Sequence, residues 1–148
     1  MKEQNDNIKF LNLLYQNSGM GLIGIDTVLK KIENESLAKL ISEQREEYET
    51  YCGKVQEVLI KFGAKEEEIS KLKEIRTKMM SEAMTIGKSD NEIAKMMMQG
   101  NERGALEVQE KLNMYKDNSE NIDDEVLELA QKLIATEEHN REELKGYL

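Results

Sequence analysis

Residues 94–115 read AKMMMQGNERGALEVQEKLNMY, and the fold follows from how this stretch is built and how it repeats. Ala94, Met98, Asn101, Ala105, Val108, Leu112 and Tyr115 recur at alternating steps of four and three. That spacing lays a single seam along a helix. Every member is apolar or small except Asn101, near the middle. The same pattern, with polar residues interrupting it, returns in three further stretches.

Upstream, Ile8, Leu11, Tyr15, Ser18, Leu22, Ile25, Leu29 and Ile32 predict a helix A over about 6–32, with Ser18 as the polar exception. Gly19, Gly21 and Gly24 lie beside this seam. Glycine costs a helix about 1 kcal/mol relative to alanine, so three so close together imply close approach of a neighbouring backbone or a dimer contact. After a short break at 33–36, where Asn34 or Ser36 can cap, helix B carries Leu37, Ile41, Gln44, Tyr48, Tyr51, Val55, Val58 and Phe62. Gly63 marks its stop.

A separate helical piece spans about 65–86, with Ile69, Leu72, Ile75, Met79, Met80 and Met84 as its stripe and Gly87 as its stop. Ser89 and Glu92 form the S-x-x-E capping box that opens helix C. Downstream of the opening stretch, Asn118, Ser119 and Asn121 break the pattern. Helix D then continues on Val126, Leu129, Leu133, Thr136, Asn140, Leu144 and Tyr147, with Thr136 and Asn140 polar.

Four helices of about 25–28 residues, near 40 Å each at 1.5 Å per residue, are therefore joined short, long, short. The long connection holds a helix of its own, enough to carry the chain from one end of a bundle to the other. A single all-α domain over 1–148 is expected, a four-helix bundle with one helix-containing crossover between helices B and C, which is the ferritin-like topology. An elongated antiparallel coiled coil is the rival, since heptads alone permit it.

Composition agrees with a folded helical chain. Of 148 residues 34% are charged and 5% aromatic, and there is no proline to interrupt a helix. The net charge of −9 repels phosphate backbones and anionic lipid, which argues against nucleic acid and membrane surfaces as partners. The opening MKEQNDN has no signal-like apolar run, and no stretch approaches the ~20 apolar residues of a membrane span. Cys52 is the only cysteine, so no internal disulfide forms. A cytoplasmic protein with a reduced thiol is the expectation.

Set side by side, the four helices bring Ser18, Gln44, Asn101 and Thr136 near one level. In ferritin-like carboxylate proteins that level holds metals, with a Glu from each of two helices and Glu-x-x-His from the other two. The chain resembles the uncharacterised ferritin-like bundle proteins of bacteria along all four bundle helices. The resemblance implies the fold. The metal motif does not carry over: helix A offers Ser18 or the distant Asp26, helix B reads Gln44-x-x-Glu47, helix C has Asn101 with Glu102 beside it, and helix D reads Thr136-x-x-His139. A dinuclear site needs carboxylates to balance about four positive charges, and the layer supplies neutral groups that can satisfy one another or hold a small ligand.

The other candidates have plain structural readings. His139, the lone histidine, lies beside the seam with no Ser or Cys nearby in sequence. Six of the nine methionines fall between Met79 and Met98, which suits adaptable packing between the crossover helix and helix C better than Cu(I) binding. Glu46-Glu47, Glu66-Glu67-Glu68 and Glu142-Glu143 read as solvated faces. The functional expectation is a non-enzymatic binding or structural module, a homodimer open to a further protein partner. The alternative is an iron or manganese oxidase or storage protein using Glu47, Glu102, Glu138 and His139.

Overall fold

Local hydrogen bonding sets where each helical stretch begins and ends. A computed structural model describes residues 2–83, 89–116 and 121–148, with the side chains of 2–5, 66 and 76–83 excepted. Its helices are α1 (Lys2–Leu29), α2 (Glu35–Lys61), α3 (Glu66–Ala83), α4 (Asp90–Lys116) and α5 (Asp124–Leu144), followed by a 3-10 turn at Lys145–Tyr147. The stop expected at Gly87 and the break at Asn118 and Ser119 lie outside the described residues. So do the side chains of Met79, Met80 and Met84, and with them the methionine packing expected there.

Asn34 caps α2 by accepting from the Leu37 amide at 3.1 Å. Gly63, with φ of 99°, supplies the left-handed stop that a side chain would resist. Ser89 starts α4, its amide and hydroxyl both donating to Glu92 at 3.3 and 2.8 Å. After the break at Asn121, Asp123 caps α5 by accepting from the Glu125 amide at 2.9 Å. Helix α1 starts earlier than expected and ends at Leu29 instead of Ile32, where the amides of Lys31 and Ile32 turn back to Val28 and Leu29.

Contacts along the helices fix their directions. Helices α1 and α2 run antiparallel, joined by Asp26 with Arg45 near their short loop and by Tyr15 with Gln56 further along. Helices α2 and α5 are also antiparallel: Ser36 meets Tyr147 at one end and Lys61 meets Glu125 at the other. Asp90 at the start of α4 accepts from the Glu33 and Asn34 amides, while Phe10 stacks on Tyr115 with centroids 5.1 Å apart. Helix α4 is therefore antiparallel to α1 and parallel to α2. The connection between α2 and α4 holds α3, which lies on α1, where the Gln16 side-chain amide donates to the Leu72 carbonyl at 2.7 Å.

One hydrophobic core is shared by α1, α2, α4 and α5, with Ile69 of α3 and Ile122 added to it. Leu14, Ile41, Val108 and Leu133 are fully or almost fully buried, each worth about 1.5–3 kcal/mol against exposure. Among the described residues no helix is long and apolar enough to cross a membrane.

Two seam positions differ from the sequence reading. Met97 is buried in place of the expected Met98, and Glu137 is buried while Thr136 is only half-buried. A helix packed in a bundle covers a stripe of about 100° or more, wider than a two-stranded seam, so the positions beside the seam are enclosed as well. One glycine of α1, Gly21, is used within the chain. A side chain at Gly21 would meet the Tyr48 ring of α2 at 3.3 Å, so the close approach is to a side chain, and Gly21 needs no second copy to explain it.

Candidate functional site

The polar seam residues do not gather at one level. Ser18 (α1) is fully buried and turns back on its own helix, donating to the Leu14 carbonyl at 2.7 Å with Cys52 Sγ at 3.2 Å. Gln44 (α2) reaches the Asn140 carbonyl at 3.4 Å. Asn101 (α4) accepts from the Tyr48 hydroxyl at 3.0 Å. Of the four, only Gln44 and Asn101 belong to the central cluster, and the α5 members of that cluster are Glu137 and Asn140.

Glu137 is 3% exposed. Burial raises its pKa from 4.5 to about 8, and the nearby Tyr48 hydroxyl opposes the rise only in part. Burial, and after it the charge of Glu137, also push the Tyr48 hydroxyl well above the usual phenol range. Among the described residues no basic side chain pairs with Glu137. The cluster is under-satisfied: Gln44 Oε1 and Asn101 Nδ2 are buried without a partner. Such atoms cost about 1–3 kcal/mol each unless something binds them.

Above Glu137 a groove of about 360 Å³ opens between α1 and α4. Gly21 and Gly24 form one wall and Gly100 and Gly104 the other, Glu137 and Asn101 line its depth, and Met20, Met96 and Met97 give it an apolar side. The exposed Arg103 and Glu107 stand at its rim. The absent side chains make the space: nothing lies within 4 Å of a Cβ built on Gly100. At Gly104 the geometry is different. A Cβ there would meet Asn17 Oδ1 at 3.1 Å and Glu137 Oε1 at 3.3 Å.

The residues of the metal alternative lie on the surface. Glu47, Glu102, Glu138 and His139 are all exposed. His139 Nε2 pairs with Glu143 Oε1 at 3.1 Å, and Glu102 stands 3.8 Å from Arg141. Glu47 lies in the neighbourhood of Glu143 and His139; desolvation by the surrounding side chains, and next Glu143, raise its pKa although its side chain reaches solvent. The structure does not join these four with the buried cluster, and among the described residues no three His, Cys, Asp or Glu side chains are grouped to hold a metal ion.

Glu137 is not legible as a site residue in the sequence because it is written into the acidic run of ATEEHNREEL. The signal available is the second apolar row on α5, Ala130 and Ile134 beside Leu129 and Leu133, which continues to 137. Compared with known proteins, the chain matches no family model, no curated protein and no solved structure.

Proposed function

We propose that this chain is a non-enzymatic, ferritin-like four-helix bundle that binds a small organic molecule in the groove between α1 and α4. The topology part rests on α2 and α4 running parallel, with α3 in the connection between them. The binding part rests on one observation: a deeply buried carboxyl, Glu137, lies without a basic partner in a glycine-walled groove of about 360 Å³. An acid in such a place is costly to the fold, and a groove walled by four glycines gives up helix stability at each. A bound molecule offsets both, by covering the methionines and by serving the unpartnered Asn101 Nδ2. A homodimer remains part of the proposal, with an interface other than the Gly21 contact.

Amide-resolved NMR with a set of small organic fragments tests the reading. Fragments that bind should shift amides of residues 17–24 and 96–107. Gly100→Leu, which extends into open space in the groove, should abolish those shifts while the helical spectrum is kept. No fragment shifting this region, or shifts indifferent to Gly100→Leu, would overturn the proposal.

A further inference from the structure

The oxygens around Gly104 narrow the class of molecule, an inference that rests on the groove being a ligand site. Asn17 uses its side-chain nitrogen to donate to the Gly104 carbonyl at 3.1 Å. A carbonyl can only accept, so this bond fixes the Asn17 amide with Oδ1 turned to the other side. That oxygen and Glu137 Oε1 both lie close against Gly104, 3.1 and 3.3 Å from where a Cβ would stand, and both residues line the groove. Two acceptors on the same stretch of the groove lining call for a donor on the groove side of Gly104. One acceptor is a carboxyl with no cation of its own, in a protein of net charge −9, whose field concentrates positive ligands. The methionines along the groove give an aliphatic body an apolar surface to lie on.

We infer that the groove takes a small primary amine, its ammonium group held between Asn17 and Glu137 beside Gly104 and its aliphatic body laid against Met20, Met96 and Met97. Binding is then coupled to ionisation of Glu137, which in the free protein keeps its proton up to about pH 8. The groups around it leave this coupling visible. Helix α1 brings Asn17 and glycines, none of which titrates. Helix α2 brings Tyr48 and Tyr51, both held above the usual phenol range mainly by burial. Helix α4 brings Arg103 and Glu107 at the rim.

The test uses hexylammonium as the probe, with hexan-1-ol and hexanoate as neutral and anionic counterparts of the same body. Titrations followed by NMR and calorimetry should give hexylammonium at least a tenfold advantage over hexanol at pH 8, from the charge-assisted contacts. Its affinity should rise about ninefold from pH 6 to pH 7 and level off above pH 8.5, as Glu137 no longer has a proton to lose. Glu137→Gln should remove both the advantage and the pH dependence while leaving hexanol binding in place. If that variant does not fold, Gly104→Ala, which sets a methyl between the two oxygens, should weaken hexylammonium and spare hexanol. Equal binding of hexanol and hexylammonium, or an ammonium preference kept in Glu137→Gln, would overturn the amine assignment and leave the groove as a site for neutral molecules. If none of the three probes binds while other fragments still occupy the groove, the amine assignment alone falls. If the groove binds nothing, the proposed function falls with it.

Discussion

Replacing Glu137 with glutamine should make the protein more stable, and by an amount that depends on pH in a way no surface carboxylate can imitate. Glu137 has a pKa of about 8 in the folded chain against 4.5 when solvated. Between those values the folded state holds a proton that the unfolded state has released, so raising the pH favours unfolding. The Glu137 contribution is fully present below about pH 4.5 and lost as pH rises through 8. Each pH unit within that window corresponds to about 1.36 kcal/mol. Worked from pH 5 to pH 9, the loss is about 4 kcal/mol, large beside the 5–15 kcal/mol that holds a domain folded. Relaxation of the site or entry of water makes this an upper value. The glutamine amide of the variant cannot ionise, and all other carboxylates are common to the two proteins, so their effects cancel in the difference. Urea unfolding of both proteins at pH 5, 7 and 9 measures it. The stability gap should widen by about 4 kcal/mol across the series and be flat above pH 9. A gap that does not change with pH would show that Glu137 titrates as an ordinary carboxyl, and would remove the electrostatic basis for the groove.

Glycine substitutions separate the positions that need space from those that do not. Gly53→Ala and Gly100→Ala, where an added methyl meets nothing within 4 Å, should each raise stability by about 1 kcal/mol in thermal or urea unfolding. Gly21→Leu should lower it by about 1–3 kcal/mol, because the new side chain is driven into the Tyr48 ring. Asn101→Leu should fold but lose about 1–3 kcal/mol, since the buried Tyr48 hydroxyl loses its 3.0 Å acceptor; an unchanged stability would mean that Tyr48 finds another partner at no cost. Cys52, 9% exposed behind α1, should react with a thiol reagent at the rate of global unfolding, and modification within seconds in native buffer would contradict its burial.

Much of the helical plan was legible in the chain itself. The Asn34 cap, the Gly63 stop and the Ser89–Glu92 start are local features, each set by a few neighbouring residues, and each appears in the structure where the pattern places it. Local features stop short of saying which flank of a seam is covered. Seen alone, α5 has Thr136 on its seam and Glu137 in an acidic run. Packed against α2 and α4, it turns Glu137 inward beneath Gly104 and leaves Thr136 half-covered. The same choice separated Ser18 from Gln44 and Asn101, because the level at which residues on different helices meet depends on relative shift along their axes, and heptad spacing does not encode that shift.

The sequence by itself determined a helical chain of four long seams with a helix in the middle connection, since helix periodicity and end signals act over a few residues. Only the tertiary structure decided that Asn17 and Glu137 face each other across Gly104. Those residues come from three helices and are 87 and 33 positions from the glycine, and their oxygens converge only because helices approach closely where a side chain is missing.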